Sequence, residues 1–138
     1  MLGALDEAWT MEGTVSIPLL GEVAAGKPLE MFSVEETLDV PESMWQGRKV
    51  FALRVRGQSM IDAGIHDGDI VVVVRTKAAN AGDFVVAIVD DEFTLKELAL
   101  EKGRFILKPH NPAYPVIRPQ GELEIFGVVT GLVRRYRD

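Results

Sequence analysis

The 138-residue chain contains no cysteine, only two histidines and no long apolar run. Without cysteine it can form neither a disulfide framework nor a thiolate metal site, and it offers no cysteine nucleophile. No segment approaches the roughly 18 consecutive apolar residues of a membrane span, and the N-terminus lacks a basic start followed by an apolar run. We therefore expect a soluble, cytoplasmic protein that makes no membrane contact.

Basic residues are also in the minority, with 15 Lys and Arg against 21 Asp and Glu and a net charge of −6. Their one cluster is the C-terminal tail, where Arg134, Arg135 and Arg137 lie close together. Non-specific affinity for nucleic acid comes mainly from Lys and Arg that displace counterions. We therefore expect that these residues do not themselves bind DNA.

Helical patterns are scarce, whereas strand patterns recur along most of the chain. Residues 70–74 are a continuous β-branched run, typical of a strand buried on both faces. Acidic residues at 90–92 separate two β-rich runs and predict a hairpin turn. The predicted strands cover residues 15–20, 50–56, 70–74, 84–89, 93–98, 104–108 and 125–133. The length suits one domain, and six or seven short strands with little helix predict a mostly-β fold.

The segments between these strands carry breaks and small residues. Pro18 removes a ladder donor, so the first strand is predicted to be an edge or irregular strand. Residues 21–28 are predicted to be an exposed, extended loop, and the loop at 38–47 to contain one helical turn after Pro41. Gly127 and Gly131 predict a bend or bulge in the last strand.

The histidines and the clustered aspartates have ordinary explanations. His66 and His110 lie in predicted loops, where isolated histidines are mostly surface residues. The spacing of Asp62, Asp67 and Asp69 lacks the ligand alternation and closing glutamate of a calcium loop, and Asp-Gly turn chemistry accounts for it. No phosphate-binding motif occurs. The sequence therefore predicts no metal site and no cofactor.

Ser59 is a candidate nucleophile. It follows Gly57, where the backbone can turn sharply, expose the hydroxyl and aim neighbouring amides at one point. A serine close to a glycine is nevertheless common in ordinary turns, and this feature alone favours such a turn. A serine nucleophile also needs a base, and no histidine is indicated for that role.

Lys96 is the alternative base. Strand alternation places it on the same face as Thr94 and Leu98, which is either a solvated face or the rim of an apolar cleft. A lysine with a pKa near 10.4 is almost fully protonated at neutral pH. Lowering that pKa to about 7 disfavours the charged form by roughly 4 to 5 kcal/mol, which requires a dry pocket.

Four stretches together resemble one family. They are GEVAAGKP from residue 21, GQSMIDAGIHDGD from residue 57, DDEFTLKEL from residue 90 and LKPHNPAY from residue 107. In this order they resemble the C-terminal domain of LexA repressors, a group similar to phage repressors and UmuD that shares a serine-lysine dyad with signal peptidases. The resemblance covers about residues 15–136 and implies a small domain of short, strongly bent antiparallel strands.

This resemblance implies self-cleavage. It implies that Ser59 is the nucleophile, Lys96 the general base, and Ala25-Gly26 the peptide bond that the domain cuts in its own chain. The backbone amides of Gln58 and Ser59 are then the expected oxyanion donors. In the family the cleavage loop moves into the dyad, a RecA filament on single-stranded DNA favours that state, and cleavage derepresses DNA-damage genes.

The resemblance also implies a domain organisation. Residues 1–14 are expected to be a linker remnant and residues 15–138 the self-cleaving peptidase and dimerisation domain. The winged helix-turn-helix that binds DNA in LexA has no counterpart in residues 1–14, so the chain is expected to be an isolated C-terminal domain or a natural short relative.

Three alternatives remain open from sequence. The domain could belong to a phage repressor, or it could be a UmuD-like dimeric polymerase accessory protein processed by the same chemistry. A peptidase that acts on other proteins is a third possibility, disfavoured because the chain carries its own Ala25-Gly26 loop. The last strand is a candidate pairing edge for a homodimer and equally a plain core strand.

Overall fold

The computed structural model describes residues 13–24 and 30–137, and side chains within these ranges except at 30–35. This part of the chain contains one short helix, α1 (Glu42–Trp45), and one 3-10 turn (Ile61–Ala63). Its strands are β1 (Thr14–Ala24), β2 (Glu30–Pro41), β3 (Val50–Arg56), β4 (Ile70–Arg75), β5 (Phe84–Val89), β6 (Glu92–Glu101), β7 (Arg104–Lys108) and β8 (Leu123–Val133). No helix among the described residues is long and apolar enough to cross a membrane.

The strands form a single sheet in the order β2-β1-β3-β4-β8-β5-β6-β7. Neighbouring strands are antiparallel except β1 and β3, which run parallel. The mostly-β prediction is confirmed. The described residues contain eight strands rather than six or seven, and β1, β2 and β8 are longer than the short strands that the patterns predicted.

The centre of the sheet is buried on both faces, as the β-branched run in β4 predicted. Val71 and Val73 pack with Leu53 in one apolar cluster, whereas Val72 and Val74 belong to a second cluster on the opposite face. Successive side chains of a strand point to opposite faces, so a strand covered on both sides must be apolar at every position.

The predicted hairpin is confirmed, since β5 and β6 pair antiparallel around the turn at residues 90–91. The predicted irregularity of the last strand is confirmed as well. The register between β8 and β4 shifts next to Gly131, and that between β8 and β5 shifts next to Gly127. Each shift leaves one residue of β8 without a partner in that ladder, Thr130 in the pairing with β4 and Phe126 in the pairing with β5.

Two predictions about the N-terminal half need correction, and the third, an edge or irregular first strand, is confirmed as irregular. The supposed loop at residues 21–28 is strand as far as Ala24, and Val23 is buried because it packs in the first apolar cluster. Residues 38–41 end β2, although the helical turn after Pro41 is confirmed as α1. The first strand has neighbours on both sides, but Pro18 lies where only β2 pairs with it, and its register shifts between Leu19 and Gly21.

The last strand is not an outer strand of the sheet. It lies between β4 and β5, while the outer strands of the described sheet are β2 and β7. Pairing with β5 ends at Val128, and residues 129–133 pair with β4 alone within the described ranges. The core-strand alternative therefore describes most of β8, and the homodimer stays a prediction.

Candidate active site

The turn that carries Ser59 begins where β3 ends. Gly57 has a φ of +91°, a conformation that glycine adopts without strain, and its N–H donates to the Asp67 carboxylate at 2.7 Å. After Ser59, the Met60 side chain is buried and the chain enters the 3-10 turn, where the Ile61 N–H donates to the Gln58 carbonyl at 3.2 Å. The serine is therefore anchored on both sides.

The turn at residues 66–69 supports the turn that carries Ser59. Asp69 is 3% exposed, and its two carboxylate oxygens accept from Nε and Nη2 of Arg134, each at 2.7 Å. The His66 N–H also donates to this carboxylate. The Arg134 hydrogen bonds, then the His66 N–H, hold the pKa of Asp69 below its usual value, although burial acts in the opposite direction.

Lys96 extends from β6 toward the Ser59 turn. Lys96 is 2% exposed, which excludes the solvated face, the first of the two alternatives that the sequence left open. Its Nζ lies 3.1 Å from Ser59 Oγ, 2.6 Å from Thr94 Oγ1 and 3.2 Å from the Leu95 carbonyl oxygen. The two candidate residues, separated by 37 positions in sequence, are thus in hydrogen-bond contact.

Burial changes the acid–base behaviour of Lys96. Loss of hydration disfavours the ammonium form and lowers the pKa of Lys96 to about 8. Among the described residues, its hydrogen-bond partners are two hydroxyls and a carbonyl, and none is a carboxylate. At pH 7 about a tenth of the amine is therefore neutral, against well under 0.1% for an ordinary lysine. A neutral amine at this distance can accept the serine proton.

The loop at residues 109–114 braces the serine turn, a function that the sequence reasoning missed. The His110 N–H donates to the Ser59 carbonyl at 2.8 Å, and the His110 carbonyl accepts from the Asp62 N–H at 2.8 Å. Asn111 Nδ2 donates to the Gln58 carbonyl at 2.9 Å. The four prolines nearby predicted an irregular segment, but no local pattern shows where such a segment packs.

The histidines and aspartates take structural positions. His66 is exposed, as predicted, whereas His110 is half-buried, with Nε2 2.7 Å from Glu97 Oε1. Asp67 and Asp69 are engaged by Gly57 and Arg134 as described above. Within the described ranges, no three His, Asp or Glu side chains are grouped so that they could hold a metal ion.

The remaining predicted site residues are Ala25, Gly26 and the amides of Gln58 and Ser59. Ala25 and Gly26 lie outside the described residues. The strand before them ends at Ala24, which is in register with Arg56 at the end of β3. Neither the Gln58 nor the Ser59 N–H donates a hydrogen bond to an acceptor in the described part of the chain.

Comparison with known proteins places residues 18–130 within a family model described as Peptidase S24-like. The LexA repressor of Alcanivorax borkumensis is 42% identical over 132 residues, which are 94% of this chain and 64% of that protein. That of Syntrophobacter fumaroxidans is 44% identical over 126 residues, 91% of this chain and 61% of that protein. The LexA repressor of Acetivibrio thermocellus is 44% identical over 122 residues. The chain spans about three fifths of the length of these relatives.

Proposed function

The chain belongs to the peptidase S24-like family, and from this premise we propose that it is the self-cleaving serine-lysine peptidase domain of a LexA-type repressor of the DNA-damage response. The observation that carries the proposal is the 3.1 Å contact between Lys96 Nζ and Ser59 Oγ, made by a lysine that is 2% exposed. A buried lysine that has no carboxylate partner in the described part of the chain has no evident structural purpose, whereas a general base requires these surroundings.

The proposed reaction is hydrolysis of Ala25-Gly26 within the same chain. Neutral Lys96 takes the proton of Ser59 Oγ while that oxygen attacks the Ala25 carbonyl carbon. The oxyanion accepts from the N–H groups of Gln58 and Ser59, which have no other acceptor in the described part of the chain. The Lys96 ammonium then protonates the Gly26 nitrogen as it leaves, and water releases the acyl group from Ser59.

The position of β1 supports cleavage in cis. Ala24, which precedes Ala25 of the proposed bond, pairs with Arg56, three residues before Ser59. Glu22 and Arg56 join the same two strands by an ion pair of 2.9 Å near this end. A bond carried by the same chain as the nucleophile reacts at a high effective concentration, so the chain needs no separate substrate pocket.

The partners follow from the same proposal. The three relatives compared above are named LexA repressors, so we propose a RecA filament on single-stranded DNA as the stimulating partner and a second copy of the chain as the dimer partner. We assign no operator-DNA binding to the residues of this chain, because its net charge is −6. No observation favours a UmuD-like accessory protein over a repressor.

Mass spectrometry after overnight incubation at alkaline pH tests the proposal. We expect fragments of 25 and 113 residues (138 − 25 = 113), because alkaline conditions increase the neutral fraction of Lys96. Ser59→Ala and Lys96→Ala should each abolish cutting, whereas Lys77→Ala, which removes an exposed lysine elsewhere, should cut normally. The rate should not depend on protein concentration, because the reaction is intramolecular.

Intact wild-type protein, shown to be folded by circular dichroism, would contradict self-cleavage. Persistent cutting in either dyad variant would remove that residue from the mechanism. Addition of RecA with single-stranded DNA should accelerate cutting near neutral pH, and the absence of acceleration would exclude RecA as the partner.

A further inference from the structure

The peptide group between Gln58 and Ser59 holds one of the two proposed oxyanion donors. Its carbonyl oxygen belongs to Gln58 and its N–H to Ser59, and the group is planar and trans. The C=O and N–H of such a unit point in opposite directions. Any contact that fixes the direction of the Gln58 carbonyl therefore fixes the direction of the Ser59 N–H.

In the described part of the chain, two donors reach the Gln58 carbonyl. The Ile61 N–H is at 3.2 Å, the long limit of a backbone hydrogen bond, and belongs to the turn itself. Asn111 Nδ2 is at 2.9 Å and comes from a loop 53 residues away in sequence. The side-chain amide of Asn111 is thus the shorter of the two contacts and the one that ties the peptide group to a separate part of the domain.

The Asn111 side chain is itself held in place. Its Oδ1 accepts from the Ala113 N–H at 2.9 Å, which closes a turn of the kind that asparagine commonly forms. The neighbouring backbone of His110 bonds to both Ser59 and Asp62. Because Asn111 Oδ1 is held by its own loop, the side chain is fixed in the rotamer that directs Nδ2 at the Gln58 carbonyl.

We propose that Asn111 is a positioning residue that holds the Ser59 N–H in the direction needed to stabilise the oxyanion. This inference rests on the proposed function. In the described part of the chain, Asn111 forms no hydrogen bond with Ser59 Oγ or with Lys96 Nζ. It acts through the Gln58 carbonyl alone, so its loss lowers the rate of the chemical step and leaves the basicity of Lys96 unchanged.

The test variant is Asn111→Asp in the whole chain. It keeps an oxygen to accept from Ala113 but replaces the Nδ2 donor with a second acceptor. The matched control is Asn80→Asp, because Asn80 is the only other asparagine and lies exposed in a remote turn. Asn111→Ala serves as a second, uncharged variant, and thermal unfolding is measured for all three.

The readout is the rate of self-cleavage as a function of pH. We expect the high-pH plateau to fall about 10- to 100-fold in both Asn111 variants, because loss of a well-placed oxyanion donor lowers rates by a hundredfold or more. The midpoint in Asn111→Ala should stay near that of wild type. The proposal would be overturned if both variants reached the wild-type rate at the high-pH plateau. It would also be overturned if a variant cut slowly only because the midpoint of its pH profile had moved, while its plateau rate equalled that of wild type.

A second measurement separates this inference from the proposed function. The 15N resonance of Ser59, the nitrogen of the same peptide group, is recorded at pH 6 in wild type and in each variant. It should move in both Asn111 variants and coincide with wild type in Asn80→Asp. If wild type does not cut, self-cleavage fails while a moved Ser59 resonance still supports the positioning contact; an unmoved resonance overturns it in either case.

Discussion

At the scale of single residues, Lys96 combines a charged side chain with nearly complete burial. It is among the largest fully buried side chains of the described structure, in a position where an apolar residue would normally lie. Burial lowers its pKa to about 8. The same desolvation that makes the amine a usable base therefore makes the protonated form costly to bury.

Self-cleavage should follow the titration of this amine. We expect the rate to rise about tenfold per pH unit below pH 7 and to level off above the pKa of Lys96, which is about 8. Rates measured by gel densitometry between pH 5.5 and 10 check this. A profile that keeps rising past pH 10 would show that Lys96 retains an ordinary lysine pKa.

The stability of the fold should respond to the same group. The folded pKa lies below the unfolded value, so the unfolded state binds more protons between about pH 8 and 10.4, and stability rises with pH over that window. The penalty is fully present below pH 8. Lys96→Met removes it, so the variant's free energy of unfolding relative to wild type should increase as pH falls from 10 to 7. Urea titrations at both pH values measure this, and a difference that is independent of pH would contradict it.

At the scale of elements, β8 shows how glycines allow one strand to join two parts of the sheet. A Cβ on Gly127 would lie 2.5 Å from Val73 Cγ1 and 2.8 Å from the Val74 carbonyl oxygen. A Cβ on Gly131 would meet chiefly the terminal methyl of Met44. Gly127 therefore faces backbone and a stiff β-branched side chain, whereas Gly131 faces the end of a flexible side chain.

The two glycines should therefore differ in their tolerance of alanine. We expect Gly127→Ala to lower the free energy of unfolding by about 1 to 3 kcal/mol, since β4 must shift to admit the methyl group. Gly131→Ala, the matched control, should change it by less than about 1 kcal/mol, because Met44 can adopt another rotamer. Denaturant unfolding measures both. Equal losses would mean that Met44 is as constrained as the β4 backbone.

At the scale of the whole molecule, the C-terminal segment is joined to the turn beneath the serine. Arg134 follows β8, and besides its two contacts with Asp69 it donates to the Gly64 carbonyl at 2.7 Å. Through Asp69 and the backbone around Val55, this segment supports the end of β3 from which the Ser59 turn begins. Stability and the geometry of the site are therefore coupled.

Loss of Arg134 should show this coupling as a pH-dependent destabilisation. The folded pKa of Asp69 lies below its unfolded value, so the pair stabilises the fold above about pH 4 and loses that effect as pH falls through the folded pKa. Arg134→Ala leaves a buried carboxylate without its main partner, so its melting temperature should fall at pH 7. The difference from wild type should shrink below pH 4. Arg137→Ala, an exposed tail residue, is the control, and a deficit that persists undiminished in acid would contradict this account.

Local sequence determined most of the strands and the turn that carries Ser59. Alternation and β-branched runs predicted β3 to β8, and Gly57 predicted the sharp turn, because these features depend on neighbours along the chain. Residue identity also carried the family resemblance. It could not show that Val23 is buried or that β1 runs parallel to β3, since both depend on a partner strand distant in sequence.

Only the tertiary structure decided what surrounds Lys96 and what holds the Ser59 turn. Periodicity states which face of a strand a residue occupies, but whether that face is wet or dry depends on the elements that cover it. The contacts of Lys96 with Ser59 and of Asn111 with Gln58 join positions 37 and 53 residues apart. A lysine that is ordinary by sequence becomes a candidate base because the assembled sheet removes its water.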